Sequence, residues 1–543
     1  MRWRLGIAGF CLGLIPSHAL AGDGAREPAA LGRGATHAVD SCSECDFVIE
    51  PGTTSATGTE LGVEPGDLVC VRGGARPFLR LYDFVGTEAA PIVITNCEGA
   101  VEIDNADRGY GLTGEGMAHV QVSGTGDADI EYGFSVRATR EGPDYSASGV
   151  VFNGRSTNYE LDHFEVFDSG FAGFNLKTEP TCDLGANLGN FTQYETHLHH
   201  NYVHDTGGEG MYLGSTGYGG RVYTCDGIET TLYPHEHRGF YIHHNLVENT
   251  GWDGAQIGVT PENCEFHHNV VRNVGLKNED VQANGLQIGG ASACEVWANR
   301  LENGPTNGMI VLDARDTFIH DNVVVGFETA MYVNDRGTQE VAGSRYVLVH
   351  NTIAQIGAEG ITMFGALSVG NVVKNNFFVD VGVSILNVGN DVDWTFDGNL
   401  SSDPSSAHFV DFDGRNFELT VESSAVDHGV DIAPIPITPD FRGVERDGMP
   451  DAGAYEWTEN PPPAEGGEDG GGDGATSDEG SAETSSGWTV GADDGAGGDD
   501  ASGCACVVGN ASRRDRAVPL ALIVLGGGWL RRRHSKPLAR RRD

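Results

Sequence analysis

The chain has 543 residues, 79 of them Gly, and carries 78 Asp and Glu against 34 Lys and Arg, a net charge of -44. Such a balance excludes nucleic acid as a partner, because nothing neutralises phosphates, and it repels acidic glycans unless a local basic patch or a bridging cation intervenes. The length admits several domains, but a repeat array is one elongated unit and defeats a count made from length.

In chain order, Arg2 and Arg4, an apolar run from Leu5 to Ile15 and Ala19-Leu20-Ala21 read as a secretory signal peptide over 1–21. The run is too short to span a bilayer. Residues 22–40 are rich in Ala and Gly without periodicity and read as a disordered leader. Eight cysteines follow: Cys42, Cys45, Cys70, Cys97, Cys182, Cys225, Cys264 and Cys294. An even set in an exported chain reads as disulfides before metal. Cys264 and Cys294 occupy one column of consecutive repeats, which stacking brings to about 5 Å. Cys182 and Cys225 sit in extra loops of adjacent repeats that a bridge would tie together. Cys42-Ser-Glu-Cys45 is either redox-active or a structural turn disulfide, and the lack of a βαβ pattern favours the turn. The partners of Cys42, Cys45, Cys70 and Cys97 stay open.

From Val48 onward, short β-rich runs alternate with Gly and Pro punctuation. Between Thr196 and Asp313 four lines nearly coincide: Leu198-His-His-Asn-Tyr-Val203, Ile242-His-His-Asn-Leu-Val247, Phe266-His-His-Asn-Val-Val271 and Val296-Trp-Ala-Asn-Arg-Leu301. Each continues to a Gly that opens a second apolar run, as in Gly210-Met-Tyr-Leu213 and Gly254-Ala-Gln-Ile257. The turn asparagines Asn201, Asn245, Asn269, Asn299, Asn322, Asn351, Asn376 and Asn399 recur mostly every 22 to 30 residues or so, a period that means a solenoid of three short strands and three turns per coil. Asn tolerates left-handed turn geometry, and its amide bonds to copies above and below it. Inward Val, Ile, Leu and Phe alternate with outward polar residues, the strand period, and Gly and Asn in every repeat exclude an α-solenoid. The expected fold is an all-β parallel β-helix over 41–457.

Two repeats are longer, at 37 and 44 residues. Their surplus lies at 179–195 and 215–238, on one face of neighbouring coils, where insertions wall a binding site. Beside them the residue before the strand-opening Gly reads Glu209, Asp253 and Asn284, a stack at about 4.8 Å spacing. It either coordinates Ca²⁺, or supplies a carboxylate pair for glycoside chemistry with Lys177 nearby, or simply satisfies backbone donors at a turn. Asn175, Tyr212, Gln256 and Gln287 form the adjoining outward ridge, and Arg238 is the expected contact for an acidic sugar. His199, His243, His267 and His320 share one column, and His200, His244 and His268 share the next. They are either transition-metal ligands or stacked turn residues.

The Pro-Gly-Asp at 65–67 and Gly86-Thr-Glu-Ala-Ala-Pro-Ile-Val-Ile94 resemble the first coils of exported right-handed parallel β-helix proteins of the pectate-lyase-like superfamily. That resemblance implies a right-handed helix. Asp451-Ala-Gly-Ala-Tyr-Glu456 resembles the terminal segment of choice-of-anchor surface proteins and implies a cap over the last coil with an anchor beyond it. Residues 458–503 form an acidic linker rich in Gly and Ser. Cys504-Ala-Cys506, the apolar run from Ala517 to Leu530 and Arg531-Arg-Arg533 resemble myxobacterial C-terminal sorting signals. They imply a sorting protease and retention of 504–543, processed near its cysteines, at a Gram-negative outer membrane. Simple secretion is the other destination. Asn201 through Ser215 is similar in outline to polysaccharide lyase family six, but Gly214 stands where its base Lys belongs and Leu286-Gln-Ile-Gly289 lacks its Arg-His. The Asn-Thr-Asp, Asp-Asp and Gly-His-Gly set of polygalacturonases is missing too, so no catalytic set carries over. The expectation is a monomeric, surface-anchored protein that binds or degrades polysaccharide as a lyase or glycosidase. The alternative is a non-catalytic adhesion module.

Overall fold

The computed structural model describes residues 37–460, apart from 143–145, 280, 337–341, 366 and 388–392. The signal peptide at 1–21, most of the leader, nearly all of the linker to 503 and the segment bearing Cys504 and Cys506 lie outside the described residues.

Short runs with one apolar face cannot bury it alone, so they stack. Among the described residues 33 strands join in one sheet, each paired in parallel with strands of the coils before and after it. One coil comprises Thr157–Asp162, Phe164–Phe167 and Phe174–Leu176; the next comprises Thr192–His199, Tyr202–His204 and Met211–Gly214. Leu161 pairs with Leu198, Val166 with Val203 and Phe174 with Met211. The chain therefore winds a solenoid with three faces, named first, second and third in coil order. Inward side chains such as Tyr159, Leu161, Phe164, Val166 and Phe174 are fully buried. Each contributes about 1.5–3 kcal/mol of transfer free energy. The Gly that opens each third-face strand is dictated by space, since a Cβ on Gly254 would lie 2.3 Å from Val271 Cγ1 and 2.6 Å from the Gly285 carbonyl.

The corner between first and second faces holds the asparagines. From Asn201 to Asn376, each donates its backbone N–H and its Nδ2 to Oδ1 of the Asn one coil on, at 2.9 to 3.2 Å. The left-handed geometry expected of these asparagines falls instead on the residue before each: His200, His244, His268, Ala298, Asp321, His350 and Asn375 have φ of 50 to 55°. This one residue turns the corner so that the following Asn points inward, where its amide meets its copies.

Four disulfides staple the coils: Cys264–Cys294, Cys182–Cys225, Cys42–Cys97 and Cys45–Cys70. Cys42 and Cys45 are not bonded to each other, contrary to the turn-disulfide expectation. The 3₁₀ turn Cys42–Glu44, capped by Ser41, sends its two thiols to different coils. The terminal segment does not close the solenoid's end but lies along the sides of its last coils. Phe409, Phe417, Ala452 and Tyr455 pack on Val323, Ala354 and Phe377, while Ile432 and Ile435 pack on Val347 and Val349. Fully buried Arg446 ties this segment down through Asp321 and through Glu456 at 3.1 Å. No described helix is long and apolar enough to cross a membrane.

Replacing Asn269 by Ala removes bonds to Ile242 O and Asn299 Oδ1 and leaves the backbone N–H of Asn245 unmet, while Asn245 Nδ2 keeps Leu198 O and His243 O. Unmet buried groups of this kind cost about 1–3 kcal/mol each. Urea unfolding will show a clear loss of stability for Asn269→Ala and a smaller one for Asn399→Ala at the half-buried end of the ladder.

Candidate functional site

The third face brings together most of the expected site residues. Asn175, Tyr212, Gln256 and Gln287 stand in register, one per coil. Lys177 Nζ lies 2.5 Å from Glu179 Oε1 and 4.0 Å above the Tyr212 ring. Burial opposes a charged Glu179, but Lys177, with help from Arg221 and His235, holds its carboxyl below the ordinary range. Glu209, Asp253 and Asn284 also stack as expected.

The insertions nevertheless roof this face instead of walling it. His235 accepts the Thr178 N–H and its ring meets Phe191 edge-on at 4.7 Å. His237 lies against Gly214, Thr216 against Gly289 and Tyr218 against Gly290. Beneath them Tyr212, Gln256, Gln287, Glu209 and Asp253 are all buried, Asp253 at 0 % exposure. Asp253 Oδ1 accepts both N–H and Nδ2 of Asn284, whose Oδ1 accepts Asn307 Nδ2. The column is a second hydrogen-bonded ladder, and burial pushes the Asp253 carboxyl up to about 7. Asn284 turns an amide donor toward Asp253 and its oxygen is engaged elsewhere, so these residues do not present the oxygen cage that Ca²⁺ needs. Glu209 and Asp253 likewise offer no surface to a polymer. Arg238 is not with them. It lies on the first face between Tyr194 and Glu262 and binds Glu236 and Glu262.

The histidine columns are continuous stacks. His199–His243 and His243–His267 are parallel at 4.8 and 4.9 Å, and Trp297 stands between His267 and His320. His163, His200, His244 and His268 stack alongside. The two columns are joined by Nδ1–Nδ1 hydrogen bonds of 2.8 to 2.9 Å, as at His199–His200 and His243–His244. Burial, then the neighbouring imidazoles, holds His200 down to about 3.

The second face carries an open cleft near its N-terminal end, with a volume of about 920 Å³. Its outward columns are Glu102, Ser135, Glu165, Tyr202 and Asp104, Arg137, Phe167, His204. Ile130, Glu131 and Tyr132, from the loop after Ser123, form one wall, and the segment 75–77 also lines the cleft, although Arg76 pairs with inward Ile103 and buries its side chain. The ring of His204 stacks on Phe167 at 5.4 Å and on Tyr202 at 4.2 Å, and Tyr132 stands 6.1 Å from Tyr202. Ser135 donates to Glu165 at 3.0 Å, His204 Nε2 lies 3.6 Å from the other Glu165 oxygen, and Arg137 binds Asp104 and Asp168. Arg76 is 3 % exposed; its Nη2 donates to Arg72 O, while Nε and Nη1 have no partner among the described residues. Burial lowers Arg76 from its ordinary value. Sequence reasoning missed this cleft, whose strands Ile92–Asn105, Phe134–Ala138 and Phe164–Phe167 precede Asn201, the first Asn of the ladder.

The molecule is thus a parallel β-helix protein with a polar, aromatic cleft on its second face. Residues 232–401 match the family described as "Right handed beta helix region", as the pectate-lyase-like resemblance implied. Similar solved structures include pectate lyase Pel9A, at 12% identity over 76% of this chain and 97% of that one, with a TM-score of 0.44. The GH136 lacto-N-biosidase from Eubacterium ramulus shows 12% identity over 65% and 67%, with a TM-score of 0.47. The mannuronan C-5 epimerase AlgE6 A-module of Azotobacter vinelandii shows 14% identity over 62% and 91%, with a TM-score of 0.36. No curated protein sequence matches the chain.

Beside His204, and despite its partial burial, Glu165 is held below the ordinary carboxylate range. Burial works against a charged His204, but Glu165 and Asp205 raise it above its ordinary value. Glu165's contribution to stability is lost as pH falls through its depressed value, and that of His204 is lost as pH rises through its raised one. The destabilisation caused by His204→Gln is therefore largest between the ordinary values of 4.5 and 6.5 and shrinks at higher pH. Thermal unfolding of both proteins across that range measures it.

Proposed function

We propose that this protein is an extracellular polysaccharide-binding β-helix that seats a glycan in the second-face cleft, with Arg137 as the contact for an acidic sugar. The observation that carries this reading is the open second-face cleft, where the outward, partly exposed guanidinium of Arg137 stands beside Phe167, Glu165 and Tyr132. A guanidinium donates charge-assisted hydrogen bonds to a carboxylate, and Arg137 offers one on the outward column of the cleft. Phe167, Tyr132 and Tyr202 supply ring surface for the apolar faces of sugars. Exposed Glu102 and Glu131 repel a dense polyanion, which favours a heteropolysaccharide with isolated uronates. Four disulfides support folding in an oxidising compartment.

A second reading, glycoside hydrolysis, is favoured by one observation. Glu102 and Glu165 share a column two rungs apart, with Ser135 between them, a separation of about 10 Å that is close to the carboxylate spacing of inverting enzymes. Lyase chemistry on the third face finds no such support, because its titratable groups are covered.

Calorimetry with an oligosaccharide bearing one uronate, set against its carboxyl-reduced form, tests the binding reading. The acidic form will bind more tightly, and Arg137→Gln will erase roughly tenfold of affinity, the worth of one charge-assisted hydrogen bond. Equal binding of the two forms overturns the contact. Release of new reducing ends that Glu165→Gln abolishes establishes the hydrolytic reading; binding without turnover leaves an adhesion module. Display at the outer surface rests on the terminal Cys504-Ala-Cys506 and arginine-rich stretch. Mass spectrometry of the mature protein will find its C-terminus near Cys504, and an intact Asp543 would defeat that part of the proposal.

A further inference from the structure

We propose that Glu160, Asp162 and His199, at the corner where the first face turns into the second, form a binding site for a divalent first-row metal ion, with Zn²⁺ as its probe. The three belong to adjacent coils, because Asp162 pairs with His199 and Glu160 lies two residues before it on the same outward side. One ligand atom from each lies within 4.8 Å of the others. Glu160 is 2 % exposed, Asp162 5 % and His199 8 %.

Two carboxylates at such depth call for positive charge, and neither has a lysine or arginine partner among the described residues. Glu160 accepts from Gln121 Nε2 at 2.8 Å and meets His199 Nε2 at 2.9 Å. Asp162 Oδ1 accepts from Ser123 Oγ at 2.7 Å and meets His163 Nδ1 at 2.5 Å. Buried charges in proteins are paired or coordinate metals, and here only imidazoles and neutral donors do the pairing. One nitrogen with two carboxylate oxygens is a donor set suited to Zn²⁺ and its first-row neighbours, with the fourth position open to water.

The surroundings also prepare the imidazole. A metal on His199 Nε2 requires the ring's proton on Nδ1, and Nδ1 lies 2.8 Å from His200 Nδ1, which accepts it. His200 thus fixes tautomer and ring orientation, the role that a metal ligand's outer partner usually plays. Binding places the metal where the hydrogen shared with Glu160 would lie, so in the neutral ring that hydrogen moves to Nδ1. The site is independent of the cleft, but it grips the corner His163–Phe164 from which Glu165 departs.

Titration of the chelator-stripped full-length protein with ZnCl₂ at neutral pH, followed by calorimetry, tests the site. One ion per chain is expected, with affinity falling roughly tenfold or more in Asp162→Asn and in Glu160→Gln and unchanged in His267→Gln, which alters the histidine stack alone. Absence of binding to the wild type, or binding that Asp162→Asn leaves intact, overturns the proposal. Loss of binding only in His267→Gln assigns the ion to the stack and overturns it as well. Anomalous diffraction at the zinc edge from soaked wild-type crystals needs no variant: a peak among Glu160, Asp162 and His199 confirms the site, and a peak elsewhere rejects it.

Discussion

The asparagine ladder is the constraint on which the structure depends. A solenoid coil of this length turns three corners, and the first is satisfied internally by one amide per coil. Each Asn Nδ2 also donates to carbonyls of its own corner or of the preceding coil, as Asn245 does to His243 O and Leu198 O. Buried corner carbonyls that water cannot reach are thereby met. The ladder fixes the rung register, and the register brings Cys264 opposite Cys294 and His199 opposite His243. It also forces the preceding residue into left-handed backbone, a region that His and Asn tolerate better than most. The double histidine thus has a division of labour: the second residue turns the chain, and the first stacks beside it.

The two lateral faces illustrate how similar columns acquire different roles. On the third face, Tyr212, Gln256 and Gln287 are polar outward residues on a regular ladder, but two insertions joined by Cys182–Cys225 fold down over them. Buried Lys177 then pairs with Glu179, whose carboxylate stays at the surface, and Asp253 sits at a depth where its proton is hard to remove. On the second face no insertion covers Glu102, Ser135 and Glu165, and the loop carrying Tyr132 rises beside them as a wall. Open surface, not the density of titratable groups, separates a site from a ladder.

The fold was almost fully legible, because a solenoid repeats its rule: spacing alone located the ladder, the strand alternation, the long repeats and two of the four disulfides. The remaining two were not, since Cys42 and Cys45 precede the first regular coil and take their directions from a local turn. The site was legible only as columns. Sequence periodicity says which residues face outward, but not whether a loop twenty residues away lies on top of them; that depends on packing such as Tyr218 against Gly290. Arg137 reads in the sequence as one outward residue among many, because the cleft it lines exists only after the Ile130–Tyr132 wall is built.

The inter-coil disulfides have a mechanical meaning. In a parallel β-helix the strand-to-strand hydrogen bonds run along the long axis, so a pull on the two ends loads the coils in series, and rupture proceeds one coil at a time. Cys45–Cys70 and Cys264–Cys294 each join neighbouring coils in the direction of that load. Between Cys264 and Cys294 the chain cannot lengthen until a covalent bond is broken, and the shielded length is one turn of the helix beside its most regular region. A peeling front that enters from either end meets a fixed stop there.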